Sequence, residues 1–596
     1  MKFPYGISDF KEIIQKNYFY CDRTHMISTI ENSEKSVLFL RPRRFGKSLI
    51  LSMLENYYDI LKKDMFDQLF GHLKIGKNPT PMRNKFFILK LDFSCIGAYG
   101  STEDLQRFMM DHVNERIRDF CHYYKNVIST PIDIHPDNAI STINSLLRAV
   151  KDHESSIYLL IDEYDNFANE LMLNKHAYNI KDDPYTLFVN KDGPLKTLFK
   201  AIKAGTNSDG FDRTFITGVS PVVMSDITSG YNIARNIYLL TELNTLCGFL
   251  NHEIMDALKK IADNCELTEE QVDIAFNVMK IFYNGYKFAL EANEHVYNPT
   301  LCLYFMNHFQ RSCRIHRKLL DDNLAVDEQK IKYISELPLG EKLISALSHK
   351  NEVLEISELK ERFSVSDLLG DDSKDNQFII SYMYYVGALT IIDENLKGNI
   401  ELKIPNLVMK SIYIDHLRKI LLLDPVTRDK GLSAAEKVYV EGNIQPLCEF
   451  IVNKYFKILS NRDYMWANEL TVKTAFITLL YNDKLYIMDS EKEIDRNYTD
   501  LTMIIRPDRR KFEIYDVLIE FKYVSLADAK LTGETAKQMD QSTLENLPCI
   551  QKSMTSALRQ TKQYADVLTK KYSQLRLKSF AVVAVGFDRI CWKVLE

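Results

Sequence analysis

Four short apolar runs organise the first part of the chain: VLFL at Val37–Leu40, FFILKLDF at Phe86–Phe93, IYLLI opening Ile157–Asp165, and TFITGV at Thr214–Val219. Runs this short, bounded by polar turns, predict buried strands. The segment LILSMLENYYDIL after the first run has helical spacing, and strands alternating with such segments predict a parallel sheet with crossover helices. Residues 245–330 keep a three-to-four spacing and predict a helical lid. From Glu336 to about Asn406 short helical stretches lead into ALTIIDENLKGNIELKIPN, two alternating runs around a turn at Gly398, which is a winged-helix pattern. Residues 407–455 read as helical linker.

The last part of the chain changes rhythm again. A helix is predicted over Trp466–Leu480 and a strand near Leu485–Met488. A second strand follows Asp500, and a turn through Pro507 and Asp508 leads to a third strand over Tyr515–Val524. A helix containing SALRQTKQYADVL and a closing strand at Phe580–Phe587 complete the series. The expected fold class is therefore multidomain α/β. The expected domains are a core at 1–244, a lid at 245–330, a winged-helix-like and helical linker module at 331–455, and a C-terminal domain at 456–596.

Composition narrows the class. A chain of 596 residues with 46% apolar and 26% charged residues is long enough for about three to five globular domains. A net charge of −5 excludes a globally basic nucleic-acid coat, so nucleic-acid binding would need local patches. The ten cysteines are scattered singly without a C-x-x-C pair, which predicts reduced thiols and a cytoplasmic protein. The N-terminus shows no signal pattern and no apolar run reaches membrane length, so no membrane partner is expected.

The first strand empties into RPRRFGKS, and Gly46-Lys47-Ser48 is the ending of a phosphate-binding loop. In such a loop the lysine reaches the β- and γ-phosphates, the hydroxyl meets Mg²⁺, and the next helix turns its positive end to the anion. Arg41 stands where the pattern has its first glycine, and Arg43 and Arg44 lie in the loop. The strand ending Asp162-Glu163 supplies the second element. Asp162 would hold Mg²⁺ with Ser48, and Glu163 would orient or deprotonate the attacking water. A buried strand capped by two solvated acids is the plain alternative. Thr217 and Ser220 at the tip of the fourth strand are candidates for sensing the γ-phosphate, and Arg213 and Arg235 for stabilising transition-state charge. The aromatic lead, Phe3-Pro4-Tyr5-Gly6 and Tyr18-Phe19-Tyr20-Cys21-Asp22, reads as core first and as a wall for the adenine second.

At the C-terminal end, period-two alternation along YDVLIEFKYV puts Glu520 and Lys522 on one strand face. If this strand pairs with the one after Asp500 as a hairpin, Asp500 and Glu520 converge. Two such carboxylates suit Mg²⁺ or Mn²⁺, and Lys522 would position water or neutralise developing charge in phosphodiester hydrolysis. Gln560 and Tyr564 share one helix face. Arg506, Arg509, Arg510 and Lys511 in the hairpin turn read as a basic rim for a phosphate backbone, or as a solvated face.

The lead PYGISDFKEIIQKNYFYCDRT, the loop RPRRFGKS, LLIDEYD, FITGVSPV, Tyr283-Asn284-Gly285-Tyr286 and Val296-Tyr297-Asn298-Pro299 together resemble the AAA-ATPase-like family. In that family such a domain is joined to a C-terminal PD-(D/E)XK nuclease. The resemblance covers roughly residues 1–300 and makes Arg41 the expected form of the loop. The C-terminal pattern resembles the PD-(D/E)XK, restriction-endonuclease-like core. By that likeness Asp500 is the first acid, Glu520-Phe521-Lys522 the E-x-K, Glu469 an additional metal acid, and Gln560 with Tyr564 a Q-x-x-x-Y element beside them. The resemblance implies a P-loop ATPase whose nucleotide state gates a Mg²⁺- or Mn²⁺-dependent nuclease acting on nucleic acid, DNA first, with a homo-oligomer left open. The rival expectations are a nucleotide-regulated switch or scaffold with a non-catalytic nuclease fold, and a DNA motor with incidental cleavage.

Overall fold

The computed structural model describes residues 1–96, 102–151, 153–166, 194–207, 210–221, 234–320, 332–335, 353–363, 375–457, 469–489, 492–494, 497–572 and 574–595. The chain divides into two compact units. One holds Met1–His316 with Leu320–Pro338 and Leu354–Pro405; the other is mainly Asn406–Glu596.

The first unit is built on a five-stranded sheet of β1 (Ser36–Leu40), β2 (Phe87–Asp92), β3 (Ile157–Asp162), β4 (Phe211–Gly218) and β5 (Arg235–Asn236), in the order β2-β3-β4-β1-β5. Every pairing is parallel. All positions of β1 and β3 are buried, as expected where helices cover both faces. The helix Lys47–Tyr58 leaves β1 and buries Ile50, Leu51, Met53, Leu54, Tyr57 and Tyr58. The short β5 has too few apolar residues to read as a strand from sequence.

The lid region folds as helices Asn251–Cys265, Glu269–Tyr283 and Pro299–Ser312; residues 321–330 lie outside the described part. Beyond it, β6 (Leu354–Ile356), β7 (Thr390–Glu394) and β8 (Ile400–Lys403) form a three-stranded antiparallel sheet with the helix Asn376–Tyr385. The expected hairpin is present, with Gly398 at φ +78° in its turn. This module packs on the phosphate loop: Gly387 has φ +80°, and a β-carbon there would stand 2.8 Å from the Pro42 ring.

One expectation is overturned here. Not all cysteines are free thiols, because Cys265 and Cys313 form a disulfide with Cα atoms 5.5 Å apart. They are the last residue of one helix and the C-cap of another, brought together by packing over 48 residues of sequence. Single scattered cysteines carry no trace of such a pairing.

The second unit holds a mixed sheet of β9 (Tyr486–Asp489), β12 (Leu501–Ile505), β13 (Asp516–Val524), β14 (Leu577–Val585) and β15 (Arg589–Leu595), in the order β15-β14-β13-β12-β9; β10 (Lys492–Ile494) and β11 (Asn497–Thr499) form a separate hairpin. β13 and β14 run parallel over nine residue pairs. A parallel pair needs a long crossover, which the helix Pro548–Lys571 provides. It buries Ile550, Met554, Ala557, Thr561, Tyr564 and Leu568. Tyr564 and Leu568 cluster with Leu518 and Ile504 on one sheet face. On the other, Phe476 of the helix Glu469–Leu480 meets Phe521 with ring centroids 4.9 Å apart. Trp466 lies outside the described residues. Among those described, no helix is long and apolar enough to cross a membrane.

Candidate functional site

In the first unit, parallel pairing brings the C-terminal strand ends to one edge. Leu40 pairs with Gly218, so Asp162, Thr217 and the loop after β1 share that edge. Gly46 caps the helix Lys47–Tyr58 at φ +92°, which glycine adopts without the cost of a β-carbon. Lys47 is buried and donates to the carbonyls of Arg41 (2.9 Å) and Pro42 (3.1 Å). Burial pulls its ammonium down, against the attraction of Glu163, Asp162 and Asp165.

Asp162 is the hub. Its Oδ2 accepts from Ser48 Oγ at 2.7 Å, and its Oδ1 accepts from Thr217 Oγ1 at 2.5 Å and from Glu163 N–H at 3.0 Å. Thr217 is fully buried, so its hydroxyl orients the carboxylate. Ser220 is engaged likewise, its N–H and hydroxyl both donating to Asp165. Glu163 sits at φ +49°, a strained backbone of the kind found at functional sites. Burial pushes its carboxyl up, and Lys47 and Arg43 oppose the shift.

Beside this hub lies a cavity of about 300 Å³ lined by Tyr5, Tyr20, Phe45, Lys47, Glu163 and Thr300, among others. Arg44, Gly46 and Ser48 also line it. The aromatic lead therefore divides: Phe3 is core, while Tyr5, Phe19 and Tyr20 face the cavity. Arg44 keeps a buried guanidinium nitrogen with no hydrogen-bond partner there. Arg43 donates to Asn166 Oδ1 at 2.9 Å.

Arg41 explains the missing glycine. Its guanidinium is buried, donates to the carbonyls of Leu40, Tyr238 and Leu243, and lies over the Phe39 and Phe288 rings. Burial brings its pKa down to about 10. It is a brace beneath the loop and does not line the cavity. Arg213 and Arg235 are not brought to the site. Arg213 donates to the Glu31 carbonyl near the start of β4, and Arg235, paired with Val37, bonds Glu34 at the opposite edge of the sheet.

In the second unit, β12 and β13 pair antiparallel with Leu501 opposite Ile519, so Asp500 stands one step beyond, alongside Glu520. Asp500 Oδ2 accepts from Phe521 N–H at 2.8 Å, and its Oδ1 lies 3.4 Å from Lys473 Nζ. Glu520 is buried. Its Oε1 accepts from Lys522 Nζ at 3.1 Å, and its Oε2 has no hydrogen-bond partner. Burial, then repulsion from Asp500, pushes Glu520 up to about 8. Burial pulls Lys522 down, but Glu520, Glu469 and Asp500 outweigh it and the net direction is up. Tyr564 feels the charges of Glu520, Asp500 and Lys522, and burial raises its phenol. Gln560, one turn earlier, has a buried and unpartnered Oε1.

Two carboxylates with an orphaned, buried oxygen suit a hard divalent ion that keeps several of its own waters. Among the described residues no three His, Cys, Asp or Glu side chains gather as a metal-holding group, so Glu469 does not complete a triad with Asp500 and Glu520. Sequence reasoning missed Lys473, which nothing in its apolar helix marks out.

The rim reading fails for Arg506 and Arg510, while Lys511 is exposed, as the solvated-face alternative has it. The turn after β12 lies at the far end of the hairpin from Asp500. Arg506 is fully buried against Asp508 and the Asp483 carbonyl, and Arg510 is bonded to Asp516. These arginines hold the turn together.

The geometry of the first unit defines a phosphate-loop α/β domain. Residues 4–228 match the family described as Predicted AAA-ATPase, which gives the chain an AAA-ATPase-like domain over that stretch. A curated relative, "Uncharacterized protein in vnfD 5'region" of Azotobacter chroococcum mcd 1, is 24% identical over 302 residues, 50% of each chain. The match thus spans about half the length of that relative. Among solved structures, Cdc6p of Pyrobaculum aerophilum is similar at TM-score 0.25 and 12% identity, covering 69% of this chain and 98% of that one. The Aeropyrum pernix ORC2 protein in ADPNP–ADP complexes gives 0.32 and 9%, with coverage of 69% and 98%. The Aeropyrum pernix ORC1 protein in complex with DNA gives 0.24 and 9%, with coverage of 69% and 92%.

Proposed function

We propose that the first unit binds and hydrolyses ATP, that the second is a metal-dependent nuclease of the PD-(D/E)XK type, and that nucleotide state gates cleavage of DNA. The ATPase reading is carried by one carboxylate, Asp162, shared by Ser48 and Thr217 beside a buried lysine and an open cavity. Ser48 and Asp162 would hold Mg²⁺ with the phosphates. Lys47 would exchange the Arg41 and Pro42 carbonyls for phosphate oxygens, with Arg43 and Arg44 as nearby cations. Glu163 would take the proton of the attacking water. Arg213 and Arg235 lie at the far edge and are not assigned a role at this site.

The nuclease reading is carried by Asp500, Glu520 and Lys522 at one hairpin position. Asp500 and Glu520 would hold Mg²⁺ or Mn²⁺, an ion that supplies polarisation of the phosphodiester and of bound water. Lys522, held by Glu520 Oε1 and the Phe521 carbonyl at 2.9 Å, would position the attacking water. Gln560 and Tyr564 on the covering helix would meet the substrate. The test is cleavage of linear and circular, single- and double-stranded DNA with Mg²⁺ or Mn²⁺, with and without ATP. Wild type is compared with Lys522→Ala and Lys47→Ala. The reading expects Lys522→Ala to abolish cleavage and Lys47→Ala to alter only its ATP dependence. Equal cutting by Lys522→Ala would leave a binding module attached to an ATPase switch.

A further inference from the structure

We propose that Lys473 is a positioning residue of the second site, a fixed positive charge that holds Asp500 in place and competes with the divalent ion for it. The inference rests on the nuclease reading above. Lys473 lies one helical turn after Glu469 on the helix Glu469–Leu480, among the buried residues Val472, Ala475 and Phe476. Its side chain is only 4% exposed, against 23% for Lys522. Lys522 can therefore meet water and substrate, whereas Lys473 is closed off from a phosphate in solution. A cation this buried persists only where a counter-charge offsets its desolvation, and Asp500 Oδ1 at 3.4 Å is such a charge.

The consequence for Asp500 is full restraint. The Phe521 N–H fixes one oxygen at 2.8 Å and Lys473 faces the other, so the carboxylate is aimed before any ion arrives. The same charge repels that ion. A positive charge beside the same carboxylate opposes a second cation there, and at the effective dielectric of such a site the repulsion is enough to change an equilibrium by roughly tenfold or more. Orientation and affinity are thus set against each other by one residue. Removing Lys473 should tighten binding of the ion while slowing cleavage, a split that loss of packing alone would not give.

The experiment titrates MnCl₂ into the full-length protein by calorimetry and electron paramagnetic resonance, and follows DNA cleavage at saturating Mn²⁺. Lys473→Met should bind Mn²⁺ roughly tenfold tighter and cut about tenfold more slowly, with Lys473→Arg restoring the rate. Lys473→Gln is read in the same way if the methionine variant loses its thermal transition. Folded Lys473 variants that bind Mn²⁺ with wild-type affinity overturn the inference and leave the nuclease reading standing. A wild type that neither binds Mn²⁺ nor cuts DNA overturns both.

Discussion

The two sites treat charge in opposite ways. Around Asp162 each carboxylate oxygen is met by a neutral donor, a serine, a threonine or a main-chain N–H, and the nearby Lys47 is spent on carbonyls. Around Asp500 the acids face lysines directly, one carboxylate oxygen is left over, and Glu520 is held up near pH 8. The first arrangement is satisfied as it stands and offers an anion a loop with a lysine already inside it. The second is unsatisfied as it stands, with two acids too close for both to ionise cheaply. A site of the first kind is preorganised for a phosphate, and a site of the second kind for a cation.

The sharpest way to break this contrast is at the exposed member of the second site. Lys522→Ala should reduce DNA cleavage by about 10³-fold, the scale of losing a charge that acts on the transition state. Binding of Mn²⁺ should survive, since Asp500 and Glu520 remain. Joint loss of ion binding and cleavage would mean that the lysine only holds Glu520 in place. Next in size is Lys47→Ala, expected to weaken ATP binding by about 10²-fold in a fluorescent-nucleotide titration. Because Lys47 is bonded only to carbonyls in the free loop, its loss should lower the melting temperature little without ATP and remove most of the ATP-induced rise. A large fall without nucleotide would make Lys47 a structural prop.

A smaller effect tests whether Asp162 is held by neutral donors. Thr217→Val removes one hydroxyl at 2.5 Å and leaves the Ser48 and Glu163 contacts. ATP turnover should fall about tenfold, with binding changed less, since a hydrogen bond to a charged group contributes about 1.5–3 kcal/mol. An unchanged turnover number would place the orientation of Asp162 elsewhere.

Much of this was legible in the residues because it is local. Gly46-Lys47-Ser48 after an apolar run, and acids ending another, carry their structural context with them, and the hairpin that aligns Asp500 with Glu520 follows from two alternating strands. The unreadable parts all depend on distant partners. Arg41 becomes a brace through Tyr238, Leu243 and Phe288, and Arg506 is buried through Asp483. Lys473 is distinguished from a surface lysine by its burial and by the carboxylate it meets 27 residues later. Basic residues clustered in sequence suggested a phosphate-facing rim, but clustering does not say which of them point inward.

The smallest prediction sharpens the comparison through two glutamates, one buried and one half-buried, each bonded to a basic side chain. Glu520 is pushed up; Glu253 goes down. Burial raises Glu253 too, but Arg23 grips both its oxygens, at 2.5 and 2.7 Å, and the Leu250 N–H adds a third bond, so the net shift is below 4.5. Glu520 has one oxygen bonded, the other bare, and Asp500 beside it. A lowered carboxylate pKa means that the unfolded chain binds more protons over the window just below 4.5. Its stabilisation is therefore complete above the unfolded value and is lost as pH falls through the folded one. Glu253→Gln should lower the melting temperature at pH 7 by roughly 1–2 °C, about 1 kcal/mol in a unit of this size. The gap between variant and wild type should narrow steadily below pH 5. A gap of constant width from pH 7 to pH 4 would show that the Arg23 contact stabilises by shape and hydrogen bonding alone, and the opposition between the two glutamates would then fall away.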